Sequence, residues 1–172
     1  MGLRQKRIFS GLAQQWLAHA ARTTAAAVIS LMVARVAGLP EAYWAAISTV
    51  VVLQSTLGAA LAISTQRLIG TGLGAAVGAL LAARFGSSVI AFGAGLFAMG
   101  FLCAAFHLDR AAYRFAGITQ AIVMLVARKE NSWIIALHRF LEVSLGIAVA
   151  LVLVALWPER PAAATATPGS TG

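Results

Sequence analysis

The sequence predicts an all-α membrane protein, a polytopic bundle of six transmembrane helices. Of its 172 residues, 60% are hydrophobic and 10% are charged, whereas soluble domains are about 45–50% apolar and about 25% charged. The mean hydropathy of +0.87 also excludes a disordered chain, because disorder requires low hydrophobicity and high charge. The lipid bilayer is therefore the expected solvent and partner of this chain.

Six apolar stretches follow one another, most of them near the roughly 20 residues that cross the hydrocarbon core. The fifth is short for a full crossing, as a broken or tilted segment would be. The connections are short, which makes neighbouring helices antiparallel. The breaks fall at residues 38–41, 64–67, 84–87, 109–110 and 128–132. The predicted spans are residues 18–38, 42–64, 68–83, 87–107, 113–127 and 134–156.

The basic residues predict the orientation of the bundle. We expect a basic cytoplasmic N-terminus at 1–17, the six-span domain at 18–157 and a disordered cytoplasmic tail at 158–172, which has no apolar period. Six spans place both termini on one side. With that side in the cytoplasm, seven Lys and Arg residues lie in cytoplasmic segments and three in outer loops, as the positive-inside rule requires. This rule accounts for the net charge of +8 without nucleic acid as a partner.

The third predicted span carries a stripe of small residues. Gly70, Gly74 and Gly78 are spaced four residues apart and share one helix face. Such a face lets another backbone approach closely, which drives helix association in lipid, where apolar burial does not. We therefore interpret these glycines as helix-packing positions.

Two segments of the chain resemble each other. An offset of 72 residues aligns Arg67 with Arg139 and Gly74 with Gly146. The third and sixth spans therefore look like copies, and Gly146 is expected to pack as Gly74 does. Because the two spans cross in opposite directions, the chain would form a 3+3 inverted repeat, which in transporters places the site at the repeat interface.

The sharpest polar cluster at membrane depth is His138, Arg139 and Glu142. Arg139 and Glu142 share one helix face, and a charge in the bilayer costs several kcal/mol unless it is paired or wetted. Two interpretations stay open: a structural ion pair, or proton exchange at Glu142 and His138 while Arg139 holds an anion. Arg67 is a second candidate for holding an anion, because the repeat aligns it with Arg139. Gln54, in the middle of the second span, either bonds another helix or lines a cavity.

We expect no catalytic residue, metal site or cofactor, and hence no enzyme. The three histidines are far apart in sequence, and no acidic cluster could hold a metal. A nucleophilic serine motif is also missing. The single Cys103 has no second cysteine for a disulfide or a metal knuckle.

Several motifs occur in an order that resembles the fusaric acid resistance (FUSC) and aromatic acid exporter family. The likeness covers roughly residues 16–160. It rests on these motifs: Tyr43-Trp44, Gln54-Ser55, Arg67-x-x-Gly70-Thr71-x-x-Gly74 and Arg139-x-x-Glu142. The resemblance implies a transporter domain of the bacterial inner membrane that exports aromatic or other organic acids by proton-coupled efflux.

The polar residues and the resemblance together give candidate roles. The candidates for binding a small organic anion are Tyr43, Trp44, Gln54, Arg67 and Arg139, and those for proton coupling are Glu142 and His138. Long members of the family have two six-span halves joined to a soluble domain, whereas this sequence matches one half. Two copies are therefore expected to associate as a homo-oligomer, with the Gly70, Gly74 and Gly78 face as a contact. The rival hypothesis is a scaffold or accessory subunit of a larger exporter that transports nothing itself.

Overall fold

The computed structural model describes residues 2–53, 56–126 and 131–157, with side chains in the first helix from residue 13 onward except residue 15. The predicted tail at 158–172 lies outside these residues. Within them the chain is all helical, which confirms the predicted fold class. The six helices are α1 (Gly2–Val36), α2 (Tyr43–Val52), α3 (Leu57–Phe85), α4 (Val89–Ala105), α5 (Arg110–Leu125) and α6 (Ser132–Leu156).

The helices differ in their capacity to cross a membrane. Three of those described are long and apolar enough, namely Trp16–Val36 within α1, α3 and α6. The apolar helices α2 and α4 are shorter. At about 1.5 Å per residue, the 10 residues of α2 extend over about 15 Å, half of a hydrocarbon core of about 30 Å. Two helices long enough to cross the membrane therefore flank the short helix α2.

The second break lies earlier in the chain than predicted. Leu53, directly after α2, has an extended backbone, and the Thr56 hydroxyl caps α3 by accepting a hydrogen bond from the Ala59 amide at 3.3 Å. Helix α3 then continues through residues 64–67. The predicted break there and the predicted span 42–64 are wrong. Thr65 donates to the Leu61 carbonyl oxygen of its own helix, and Gln66 and Arg67 bond side chains of other elements, so the polar residues do not end the helix.

This correction changes the place of one candidate residue. Arg67 lies well inside α3, not at the start of a span as predicted. The cytoplasmic count of basic residues therefore falls from seven to six, against three outside. Basic residues are still more numerous on the cytoplasmic side, so the positive-inside rule still predicts the same orientation.

The glycines of α3 let this helix lie directly against α5. A Cβ atom added to Gly74 would stand 2.2 Å from the Ala116 carbonyl oxygen, and one added to Gly70 would stand 2.3 Å from that of Ala112. The contacts advance in the same order along both helices, and Gly78 continues the series, so α3 and α5 run parallel. Because α5 occupies this face, the predicted contact between two copies through it is wrong.

The second half uses one glycine in the same way. A Cβ atom on Gly146 of α6 would stand 2.2 Å from the Ala45 carbonyl oxygen of α2. The Thr49 hydroxyl donates a hydrogen bond to the Gly146 carbonyl oxygen at 2.9 Å, which ties the two helices together. Earlier on both helices, Trp44 faces Arg139. Helices α2 and α6 therefore also run parallel.

The central pair is α3 and α6, which run antiparallel. Gly72 lies opposite the Phe140 ring, whereas Ala60 near the start of α3 shares a core cluster with Ala150 near the end of α6. Helix α1 packs on α2 and α6, and α4 packs on α5 and α3. Each helix contact in the first half thus has a counterpart in the second, and α2 and α5, like α3 and α6, run in opposite directions. This is the packing of a 3+3 inverted repeat.

Candidate functional site

A cleft lies over the α3–α6 pair, where α2 and α5 stand on either side without contacting each other in the described residues. We call it the α2–α5 cleft. It has about 230 Å³ of empty space, part of it open to the exterior. Its lining residues are Trp44, Arg67, Thr71, Phe115, Ile118, Thr119, Ile122, Arg139 and Val143. Two arginines therefore meet a mainly apolar wall.

Arg67 reaches the cleft from α3 and is 6% exposed. Its Nε and Nη2 atoms donate to the Ser48 hydroxyl oxygen at 3.3 and 3.1 Å, and Ser48 in turn donates to the Trp44 carbonyl oxygen at 2.8 Å. The guanidinium lies 4.8 Å from the centroid of the Phe115 ring, a cation–π arrangement. Arg67 forms no ion pair with any described residue, so its charge is held by a hydroxyl and a ring only.

Arg139 reaches the cleft from α6 and is 2% exposed. Its Nη1 atom donates to Glu142 at 3.3 Å, and its Nη2 atom forms an ion pair with Glu41 of the α1–α2 connection. The Glu41 backbone amide also donates to Glu142 at 2.8 Å. The Arg139 guanidinium lies 4.3 Å from the centroid of the Trp44 ring. Two carboxylates and a ring therefore hold the charge of Arg139.

The two arginines occupy equivalent places in the repeat but have different neighbours. Each stands over the ring of a short helix, Arg67 over Phe115 and Arg139 over Trp44. In the sequence, Glu142 comes three residues after Arg139, and Gly70 comes three residues after Arg67. Likewise, three residues before each ring stand Glu41 in one half and Ala112 in the other. The two carboxylates around Arg139, Glu142 of the second half and Glu41 of the first, thus correspond to uncharged residues around Arg67.

The structure brings together three of the five residues that the sequence offered for anion binding. Trp44, Arg67 and Arg139 line the α2–α5 cleft. Tyr43 does not line it: its ring packs against Trp44 with centroids 5.7 Å apart, and the residue is half exposed. Gln54 lies outside the described residues.

The two proton-coupling candidates lie in different surroundings. Glu142 is buried and bonded to Arg139 and to the Glu41 amide. His138 is partly buried and is not among the lining residues, and its buried Nδ1 atom has no hydrogen-bond partner among the described residues. The structure therefore joins Glu142, but not His138, to the arginine cluster.

Sequence reasoning missed Phe115, Thr71 and Thr119 as lining residues. A signal for Phe115 existed, because an offset of 71 residues places it on Trp44 in the repeat. Within the part of the chain that the structure describes, no group of three or more His, Cys, Asp or Glu side chains could hold a metal ion.

These features define a helical membrane domain of the inverted-repeat type, with an arginine-lined cleft between its halves. The family described as fusaric acid resistance protein-like matches residues 24–153. The chain belongs to this family, as the sequence motifs predicted.

Similar proteins are larger than this chain. It is 32% identical over 166 residues to a protein named "Uncharacterized transporter YdhK" from Escherichia coli strain K12, and equally to the protein of that name from Escherichia coli O157:H7. The aligned region covers 91% of this chain and 25% of each relative, so the chain spans about a quarter of the length of these curated relatives. No solved structure matches the chain.

Proposed function

We propose that this chain is a transport domain of the bacterial inner membrane, with both termini in the cytoplasm, that exports aromatic or other organic acids by proton-coupled efflux. The observation that carries the proposal is Arg67. A buried arginine without a carboxylate partner is costly in a membrane domain, and such residues mark substrate pathways. Its position in the α2–α5 cleft suits a carboxylate ligand.

The apolar wall of the cleft supports an organic anion in particular. Phe115 lies under the Arg67 guanidinium, and Ile118 and Ile122 of the same helix extend the wall. A ring or hydrocarbon part of the ligand would pack there while its carboxylate bonds the arginine. Ligand sites of this kind combine a mostly apolar surface with few polar groups that fix orientation.

Proton coupling is assigned to Glu142, with His138 as the second candidate. Glu142 is buried and adjoins the cleft through Arg139. Carboxyl groups that face the interior of a membrane bundle serve as proton relays in pumps and transporters. Protonation of Glu142 would weaken its bond to Arg139 and to the Glu41 amide, which links the proton to the α1–α2 connection.

We further propose that the domain works as a homo-oligomer. The α2–α5 cleft is partly open to the exterior, and polar groups at membrane depth face a bundle interior or a water-filled cavity. A second copy over the cleft would enclose both arginines. The greater length of the relatives is in keeping with a second half that serves this purpose within one chain.

The test is efflux of benzoate from proteoliposomes that contain only this chain, under an imposed pH gradient. We expect gradient-dependent efflux that Arg67→Ala lowers by at least about tenfold, because a charged hydrogen bond to the ligand is lost. Arg84→Ala is the matched control, because Arg84 lies exposed in the last turn of the same helix.

The amount of folded protein in the membrane is measured for each variant. Equal loss of flux and of folded protein in Arg67→Ala contradicts a ligand role and makes Arg67 structural. If no benzoate efflux is observed, the result contradicts self-sufficient transport and favours an accessory subunit of a larger exporter.

A further inference from the structure

The two halves of the repeat have diverged in charge at equivalent places. Glu41 and Glu142 both bond Arg139. The residues at the equivalent places are Ala112 in the second half and Gly70 in the first half. Neither residue has a side chain that can bond Arg67. A larger residue does not fit at position 70, because a Cβ atom on Gly70 would stand 2.3 Å from the Ala112 carbonyl oxygen.

The hydrogen-bonding capacity of the two arginines differs accordingly. Both terminal nitrogens of Arg139 are engaged by carboxylates, and its ring neighbour Trp44 covers one face of the guanidinium. Arg67 engages Nε and Nη2 with the single hydroxyl oxygen of Ser48, and its Nη1 atom makes no bond to any described residue. A guanidinium has five N–H donors in a fork that suits a carboxylate. Among the described residues, Arg67 keeps a terminal nitrogen for a ligand, whereas carboxylates take both terminal nitrogens of Arg139 and its unbonded Nε atom is buried.

We propose that the α2–α5 cleft has one anion subsite, at Arg67, and that Arg139 is its internally neutralised copy. The cleft therefore takes a ligand with a single carboxylate and an apolar ring, and it rejects dicarboxylates. A second carboxylate would face Glu41 and Glu142 or the apolar wall, and a buried charge without a partner is strongly disfavoured. This inference rests on the proposed function in that the ligand is an organic anion.

The test compares the binding of benzoate and terephthalate to the full chain in detergent. The two compounds share a ring and differ by one carboxylate on the opposite side. Isothermal titration measures both dissociation constants, so the result does not depend on transport. We expect benzoate to bind at least about tenfold more tightly than terephthalate, since one unpaired carboxylate must be buried with the latter.

A matched pair of variants probes the subsite itself. Ser48→Asp places a carboxylate beside the Arg67 guanidinium and reproduces the neutralised state of Arg139. Ser48→Asn has nearly the same size without the charge. We expect Ser48→Asp to weaken benzoate binding about tenfold or more relative to Ser48→Asn.

A second set of variants removes the carboxylates that pair with Arg139. Glu41→Gln alone leaves Glu142 on Arg139, so the preference for benzoate is expected to change less than about twofold. Glu41→Gln combined with Glu142→Gln removes both carboxylates from Arg139. The ratio of the terephthalate to the benzoate dissociation constant is then expected to fall by about fivefold or more. If the double variant does not fold, the Ser48 pair decides alone.

The inference is overturned if terephthalate binds as tightly as benzoate, if neither binds, or if the two Ser48 variants weaken benzoate equally. Benzoate binding with the expected preference but without flux in proteoliposomes contradicts the proposed transport and leaves the single subsite standing.

Discussion

Close contact between α3 and α5 makes Gly74 sensitive to the smallest substitution. In Gly74→Ala the added Cβ atom would stand 2.2 Å from the Ala116 carbonyl oxygen and 2.8 Å from its carbonyl carbon. Both are backbone atoms, which no rotamer change can move aside. Reaching an ordinary contact near 3.4 Å requires the two helices to separate by roughly 1 Å, which loosens neighbouring contacts.

Gly72→Ala is the matched control. It is the same change two residues away on the same helix, but the nearest atom to its Cβ would be Cε2 of Phe140 at 3.6 Å, an ordinary contact. Both variants gain the same helix propensity, about 1 kcal/mol for Ala over Gly. The difference between them therefore measures the overpacking, which costs about 1–3 kcal/mol in a packed core.

The assay is the apparent melting temperature of the purified chain in detergent, followed by the loss of monodisperse protein on heating. With about 2–4 °C per kcal/mol for a chain of this size, an overpacking cost of about 2 kcal/mol places Gly74→Ala about 4–8 °C below Gly72→Ala. Melting temperatures within about 1 °C of each other would refute the contact of α3 with α5 through this glycine.

Two further predictions concern helix pairing and orientation. Thr49→Val removes the hydrogen bond to the Gly146 carbonyl oxygen and is expected to cost about 1 kcal/mol in thermal stability; Thr119→Val, whose hydroxyl bonds only within α5, serves as control, and equal effects would contradict a bond between α2 and α6. On a cysteine-free background, Ala37→Cys in the α1–α2 connection is expected to react with an impermeant thiol reagent added to whole cells, and His107→Cys in the α4–α5 connection is not. The reverse pattern would contradict the predicted orientation.

Packing within the repeat was partly readable from the sequence. The shift that aligns Arg67 with Arg139 also aligns Gly74 with Gly146, and each glycine meets the backbone of a neighbouring helix. Glycine is found at such contacts because two helix backbones can approach closely only where no side chain lies between them. The identity of the neighbour was not readable, because any helix can approach a glycine face. Helix α5 occupies the face that was expected to contact a second copy.

The break between α2 and α3 shows a second limit of sequence reasoning. The sequence predicts a break between spans at the polar residues 64–67, yet α3 continues through them. Arg67 tolerates a helical place there because Ser48 and Phe115, from two other helices, hold its guanidinium. At Arg67, contacts with other helices take the place of water, so its polarity does not mark a connection.

The sequence by itself determined the membrane class, the all-helical bundle, the family and the two arginines that face the cleft. These follow from composition, spacing and repetition, which are local properties of the chain. The tertiary structure is needed to see that Arg139 pairs with Glu41, 98 residues away, and that Arg67 lies over Phe115 with no carboxylate partner among the described residues. Ion pairing depends on distances across the fold, because the Coulomb attraction between two charges grows as they approach each other.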